Sequence, residues 1–582
     1  MSTVEIKAQQ KADHFINNEK QFHLGLLLTE QPHPGTTGLS EAATADTAAG
    51  VKIMQNVDRD IIPVAKNVFS SKEFHLLTDS ISDSVINGGK VVFSGCGATG
   101  RLSILLEAAW RTFCRKCRHK SHIPETPENN VFSIMTGGDY ALIRSVESFE
   151  DHMEFGKKQI REMGVGNGDT VIAISEGGET SSVIGTALEA IENGARVFFV
   201  FNNPAAVLKK HIVRSRLIID HPDSVVMDLS TGPMALAGST RLQAVTAELL
   251  IIGAAVEKAA YKIFKHADID IPFDSCDVFT DLFTGLLDDL ESESCVQTMC
   301  RLIELEQGIY SEKGLVTYFA DSALLDIFTD TTERAPTFML PPFVKSGDAS
   351  SSPSWAFVKN PLYPTEKTWT EMLARPPRCL EWTHKDYETL GAPDDIIHNP
   401  PKLDKQELLR FTIGNEPCPE RSASAKSVAA AVLSVSDTDR EIFLGQFSSA
   451  AQEYRRKLII RIGEGADAGS MNVPCRITKS PLMLWEHLAV KLVMNTVSTL
   501  TMAKTGRITG NWMSWVEATN KKLVDRGSRL ISEICSVPYA EACYELFLSI
   551  EQIRSTDRPG QEKPSPVRHA IERIRRSRPG AP

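Results

Sequence analysis

No run of 18 or more apolar residues occurs in the 582-residue chain, so no transmembrane helix is expected. Basic residues are outnumbered, 63 Lys and Arg against 74 Asp and Glu, and the formal charge of -11 argues against general binding to nucleic acid or an anionic membrane. A phosphate-bearing ligand must then be held by a local site. The first residues, among them Glu5, Lys7, Lys11 and Asp13, lack a signal-peptide core. Eleven cysteines, an odd number widely scattered, suit a reducing compartment, the cytosol first and the nucleus second. Cys114-x-x-Cys117 with His119 and His122 is too compact for a standard zinc finger and has no second Cys pair, so these read as structural or surface residues, and neither metal nor cofactor is expected. The apolar and charged fractions, 42% and 24%, are those of a globular protein, and the length implies two or three domains.

What the chain does have is a strand–turn–helix signature. Lys90-Val91-Val92-Phe93 leads into Ser94-Gly95-Cys96-Gly97-Ala98-Thr99-Gly100-Arg101 and an apolar run from Leu102 to Trp110. Three glycines let the backbone turn sharply, and the following helix N-terminus presents free N–H groups to an anion. Strands are predicted again at 131–135, 169–174 and 196–201, with a helix from Ser181 to Asn193 closed by Gly194. This alternation means an α/β fold: a parallel sheet with helices on both faces. Before it, residues 1–50 are broken by Pro32, Pro34 and Gly35, and 51–87 reads as two helices. After it come long helices over 242–265 and 278–310. Gly314–Phe319 then repeats the strand entry, with Ala320-Asp321-Ser322-Ala323-Leu324 in place of the glycine turn. Residues 340–405, rich in Pro and Ser, read as an irregular insertion. A strand over 457–462, helices over 481–504 and 512–534, and a frayed tail from Ser555 complete the chain.

Gly95-x-Gly97-x-x-Gly100 alone is also a dinucleotide fingerprint, but the acidic residue expected about 20 positions on is replaced by Arg115, Lys116, Arg118 and Lys120. A second loop, Ser175-Glu176-Gly177-Gly178-Glu179-Thr180, offers hydroxyls and another helix N-terminus, and Ser230-Thr231-Gly232-Pro233 starts a third that runs through Gly238-Ser239-Thr240-Arg241. Together they suit a monophosphorylated sugar better than a dinucleotide. Lys491 sits in an apolar helix and needs a partner, which a phosphate would supply. Arg101 either faces the phosphate or caps the loop.

These loops resemble the sugar isomerase (SIS) domain, with Gly177 in place of one loop serine. More closely, the chain is similar to the family uniting the glucokinase regulatory protein with bacterial N-acetylmuramic acid 6-phosphate etherase. Matching segments include Leu28-Thr29-Glu30-Gln31, 94–101, Gly137-Gly138-Asp139, Glu147-Ser148-Phe149-Glu150-Asp151, Ala237-Gly238-Ser239-Thr240-Arg241, 491–499 and Asn520-Lys521-Lys522-Leu523. The resemblance implies two SIS domains in one chain: an N-terminal segment 1–50, SIS domains at 51–275 and 276–510, and a helical C-terminal segment 511–582. It also implies two functional carboxylates. One is Glu150. The other falls on Ala109 in the first copy, whereas the second copy, Asp330-Thr331-Thr332-Glu333-Arg334-Ala335-Pro336-Thr337, places Glu333 at the matching position. Gln243 stands where the family has a lysine.

One sugar-phosphate site is thus expected. It comprises Gly97, Ala98, Thr99, Gly100, Glu150, Ser175, Gly177, Gly178, Thr180, Ser239 and Thr240, with Lys491 reaching in from the second copy. The favoured expectation is a non-catalytic sensor of fructose 6-phosphate or fructose 1-phosphate acting on a hexokinase-type sugar kinase. The alternative is a carbon–oxygen lyase, with Glu150 and Glu333 as acid and base; aldose–ketose isomerisation comes third. Eliminating lactate across a sugar C2–C3 bond needs a base for the C2 proton and an acid for the leaving oxygen, and a carboxyl acid near pH 7 needs a pKa raised to roughly 6–7 by burial. An internal pseudo-dimer is consistent with a monomer.

Overall fold

Ten short strands build two five-stranded parallel sheets with one shared topology. In the first, β1 (Val91–Gly95), β2 (Val131–Met135), β3 (Thr170–Ile174), β4 (Arg196–Phe201) and β5 (Ser224–Asp228) lie in the order β2-β1-β3-β4-β5. In the second, β6 (Val316–Phe319), β7 (Ala356–Lys359), β8 (Val428–Leu433), β9 (Arg456–Ile462) and β10 (Met471–Val473) lie in the order β7-β6-β8-β9-β10, the same arrangement strand for strand. Every neighbouring pair in both sheets is parallel. β1, β3 and β8 are buried along their whole length, as befits Val-, Ile-, Phe- and Ala-rich strands covered by helices on both faces. This computed structural model describes residues 2–117, 127–146, 149–264, 277–465, 469–556 and 563–578.

The two copies share one core. The helix Gly97–Cys117 after β1 packs on the helix Leu324–Phe338 after β6, and Gln243–Ile263 packs on Leu484–Lys504. Both members of the second pair are buried along most of their length, so their apolar residues serve both copies at once. Charged side chains also cross. Arg375 donates from Nε to Glu107 Oε2 (3.0 Å) and from its terminal nitrogens to Asp139 (2.5 and 3.1 Å), and Arg378 NH1 donates to Glu107 Oε2 (3.0 Å). The motif Gly137-Gly138-Asp139 therefore serves as a socket for the second copy.

The α/β architecture with two helix-flanked parallel sheets and helical ends agrees with the sequence expectation, but several elements differ. Thr3–Asn18 is a helix, opened by a capping box from Ser2 and Glu5; the prolines lie beyond it. Residues 51–87 lie in three helices, Thr47–Asp58, Ile61–Phe69 and Lys72–Ile86. The segment 340–405 is no irregular insertion: it holds β7, which pairs with β6, and the helix Thr365–Met372. Its Pro and Ser residues punctuate short elements. Trp512 belongs to a small antiparallel hairpin (Ile508–Thr509 with Trp512–Met513), and the next helix begins at Lys521, where Asn520 accepts from the Leu523 N–H. The tail carries a further helix, Pro566–Ser577, whose Val567, Ala570, Ile571 and Ile574 are buried. Cys114 and Cys117 are buried on the first long helix of the first copy, and His119 and His122 lie outside the described residues.

Candidate functional site

The first cradle is made by backbone that only glycine permits. A Cβ on Gly95 would lie 2.4 Å from the Thr99 carbonyl carbon, and Gly97 has φ of +56°. The Thr99 hydroxyl locks the turn, donating to Cys96 O (2.9 Å) and accepting from Cys96 N–H (3.1 Å). The helix starts at Gly97, so Gly97, Ala98, Thr99 and Gly100 supply its first turn of N–H groups, which lack intrahelical acceptors. Behind β3, Ser175 Oγ donates to Thr180 Oγ1 (3.0 Å) and accepts from Thr180 N–H (3.4 Å). Gly178, at φ +70°, lets the loop pack on Phe201 and Leu208. In the third loop, Ser239 is buried and its hydroxyl has no partner among the described residues. Thr240 Oγ1 donates to Glu176 Oε1 (3.4 Å), closing the third loop onto the second.

The second copy forms the opposite wall. A cavity of about 230 Å³ is lined by Cys96, Gly97, Thr136 and Glu150 from the first copy and by Ala335 and Pro336 from the second. Glu150 lies on the short turn Phe149–Asp151, where Oε1 accepts from Asn520 Nδ2 (3.1 Å). Glu147 and Ser148, just before that turn, lie outside the described residues. Glu333 precedes Ala335 on the helix Leu324–Phe338, and it pairs with the buried Arg101, which also donates to Leu142 O (3.0 Å). Arg101 thus ties the copies together instead of capping the glycine turn. Gln243, where a lysine was expected, bridges Asp58 Oδ1 (2.7 Å) and the Ala235 N–H (3.0 Å).

Lys491 stands behind the third loop. Its Nζ donates to Arg241 O (2.7 Å), Leu242 O (3.3 Å) and Thr246 Oγ1 (2.8 Å), and burial pulls its pKa down. Two cations that sequence reasoning did not single out face the second loop: Arg214, which donates to the Glu179 carbonyl and carboxylate, and Lys522. Lys522 donates to Glu179 Oε1 (3.0 Å). Burial alone would lower its pKa, but Glu179 and Glu30 outweigh it and raise the pKa. Glu30 is held by Arg526 (2.6 and 2.9 Å) and Arg529 (3.0 Å), which accounts for a buried carboxylate in the Leu28-Thr29-Glu30-Gln31 segment. Glu176 was also passed over. Burial pushes its carboxyl up to about 7, with the Glu333 carboxylate adding to the rise against Lys522. Both signals were present in quoted motifs, Lys522 within Asn520-Lys521-Lys522-Leu523 and Glu176 inside the second loop.

Comparison with known proteins bears on this arrangement. The family model for the glucokinase regulatory protein N-terminal SIS domain matches residues 74–191. N-acetylmuramic acid 6-phosphate etherase 1 of Bacillus licheniformis is 31% identical over 253 residues, 43% of this chain and 74% of its own length. The N-acetylmuramic acid 6-phosphate etherase of Erwinia tasmaniensis is 27% identical over 320 residues, 53% of this chain and 90% of its own. Among solved structures, tagatose-6-phosphate ketose/aldose isomerase from Escherichia coli aligns with 81% of this chain and 96% of its own, at 10% identity and a TM-score of 0.43.

These relatives correct the expectation of a non-catalytic regulator of a sugar kinase. The curated proteins matched over most of their length are etherases, and they support the lyase alternative instead. The chain belongs to the family that unites N-acetylmuramic acid 6-phosphate etherase with the glucokinase regulatory protein.

Proposed function

We propose that this protein is a carbon–oxygen lyase that eliminates lactate from N-acetylmuramic acid 6-phosphate or a closely related sugar ether, in amino-sugar catabolism. The observation that carries this reading is that Glu150 and the helix bearing Glu333 reach one cleft from opposite copies, at the first glycine loop. The Glu333 side chain, paired with Arg101, lines another cavity together with Arg241 and Lys491. One carboxylate takes the C2 proton and the other protonates the oxygen leaving C3, a division worth typically 10²–10⁴-fold in rate.

The phosphate is held by the first-turn N–H groups of Gly97, Ala98, Thr99 and Gly100, by Ser175, Thr180 and the backbone of Gly177 and Gly178, and by Ser239 and Thr240. Ser239 enters with a buried hydroxyl that has no partner among the described residues. Lys522 supplies positive charge, and each charge-assisted hydrogen bond contributes roughly 1.5–3 kcal/mol. Lys491 positions the third loop from behind by holding the carbonyls of Arg241 and Leu242. Glu176, with its carboxyl near 7, holds a proton that it donates to the phosphate; ionised, it repels the same group. Because the second copy supplies the opposite wall, one chain completes the site and a monomer suffices.

The test is lactate release from N-acetylmuramic acid 6-phosphate by the wild type and by Glu150→Gln and Glu333→Gln. Release by the wild type that falls at least 100-fold in both variants is the expected result. Release that survives both substitutions removes the proposed acid and base.

A further inference from the structure

Because the two sheets share one strand order, the second must possess counterparts of the first two loops. β6 leads through Asp321 and Ser322 into the helix Leu324–Phe338, and β8 leads through Ser434 toward the helix Arg440–Ala450. Both loops close on a single side chain. Asp437 Oδ2 accepts from the Ser434 N–H (2.7 Å) and hydroxyl (3.3 Å), and Oδ1 accepts from the Ser322 N–H (3.3 Å) and hydroxyl (2.8 Å). Two backbone N–H groups and two hydroxyls, drawn from two loops at the strand ends, are the donor set an oxyanion would take. Here the chain's own carboxylate takes it.

Beside that seat opens a cavity of about 430 Å³, lined by Asp321, Asn360, Tyr363 and Glu371 of the second copy and by Ala109 of the first. Asn360 Nδ2 donates to Asp321 Oδ1 (2.8 Å), which fixes a carboxylate and an amide side by side on the wall. The cations on the wall are engaged elsewhere: Arg115 by Glu128 (2.7 Å) and the Ala374 carbonyl (2.5 Å), His487 by Asp326 (2.9 Å), and Lys116 by the Met483 sulfur (3.5 Å). Ala109 is the counterpart of Glu333, so this cleft has neither a vacant anion seat nor the second carboxylate that the proposed chemistry needs. It keeps a concave wall of carboxylate, amide and phenol groups, which suit a ligand of many hydroxyls.

We propose that this second cleft binds a neutral polyhydroxylated ligand, an unphosphorylated sugar, and that Asp437 stands where a sugar's phosphate would sit and so excludes phosphorylated ligands. A phosphate brought to this seat would displace four hydrogen bonds and meet the charges of Asp437, Asp321 and Glu371.

Two measurements test this. In saturation-transfer NMR with N-acetylglucosamine as the probe, the wild type shows transfer, and Ala109→Trp, which fills the second cleft, reduces it at least fivefold. Absent transfer, or transfer undiminished by Ala109→Trp, overturns the proposal. In titration calorimetry with glucosamine 6-phosphate, Asp437→Gly raises the bound stoichiometry by one equivalent per chain over the wild type. A folded Asp437→Gly protein with unchanged stoichiometry overturns the exclusion of phosphate. Should that variant not fold, a wild-type stoichiometry of two overturns it, and a stoichiometry of one or less upholds it.

Discussion

Replacing Glu176 by Gln removes a titrating group from the second loop and leaves its shape nearly unchanged. Burial puts the Glu176 carboxyl at about 7, and Thr240 already donates to it from the third loop. If the phosphate binds against the protonated form, affinity follows the protonated fraction. With a pKa of about 7, that fraction falls from about one half at pH 7 to about one hundredth at pH 9, so the dissociation constant rises about 50-fold. The ligand's own second phosphate ionisation lies near 6, so the phosphate is largely a dianion above pH 7 and contributes little to this slope. The assay is the dissociation constant of N-acetylglucosamine 6-phosphate, which carries the phosphate but no lactyl ether to eliminate, between pH 7 and 9 by titration calorimetry. It is repeated in buffers of different ionisation enthalpy to count the protons taken up on binding. Wild-type protein takes up close to one proton at pH 8 and loses affinity with pH, whereas Glu176→Gln takes up almost none and stays flat. Wild-type and variant curves with the same slope would show that Glu176 does not face the ligand.

Further predictions concern the framework. Arg101→Met leaves the Glu333 carboxylate without its cation at the junction of the copies, and it should lower stability by about 3–5 kcal/mol in denaturant unfolding. Glu30, Glu107 and Glu179 are held near about 2 instead of the ordinary 4.5. Burial alone would raise them, but Arg526, Arg375 and Lys522 respectively lead the cations that outweigh it. Such depressed carboxyls give stability that is complete above about 4.5 and lost as pH falls toward 2, about 3 kcal/mol each, and the denaturant midpoint should fall steeply across that window. Glu179→Gln should flatten part of that fall. Gly178→Ala forces a side chain into φ of +70° with its Cβ 2.5 Å from Leu208, and it should cost about 1–2 kcal/mol, read as a lowered Tm.

The first copy was legible because its strands are short apolar runs bounded by glycine. β2 and β4 have the limits that sequence periodicity assigns. β5 was not, since Ser224–Asp228 is only partly buried and its apolar run is just Val225, Val226 and Met227 between polar ends. The second copy was harder for the same reason its cradle is closed: without glycines after β6, nothing announces a turn, and Asp437 reads as an ordinary loop residue. β7 was hidden by the prolines and serines around it. At the site, the loops and Glu150 were visible as local patterns. The company they keep was not, because Lys522, Glu30 and Asn520 meet the loops only through long-range ion pairs and hydrogen bonds. The likeness to a regulator rested on two copies in one chain, a matter of architecture that does not fix chemistry.

The central claim is lactate elimination with removal of the sugar C2 proton, and ¹H NMR of the reaction in D₂O observes both events at once. The account predicts that lactate appears from N-acetylmuramic acid 6-phosphate while the C2 proton signal of the sugar disappears, and that neither occurs with Glu150→Gln or Glu333→Gln. An intact substrate after prolonged incubation, or lactate released with the C2 proton retained, would contradict it.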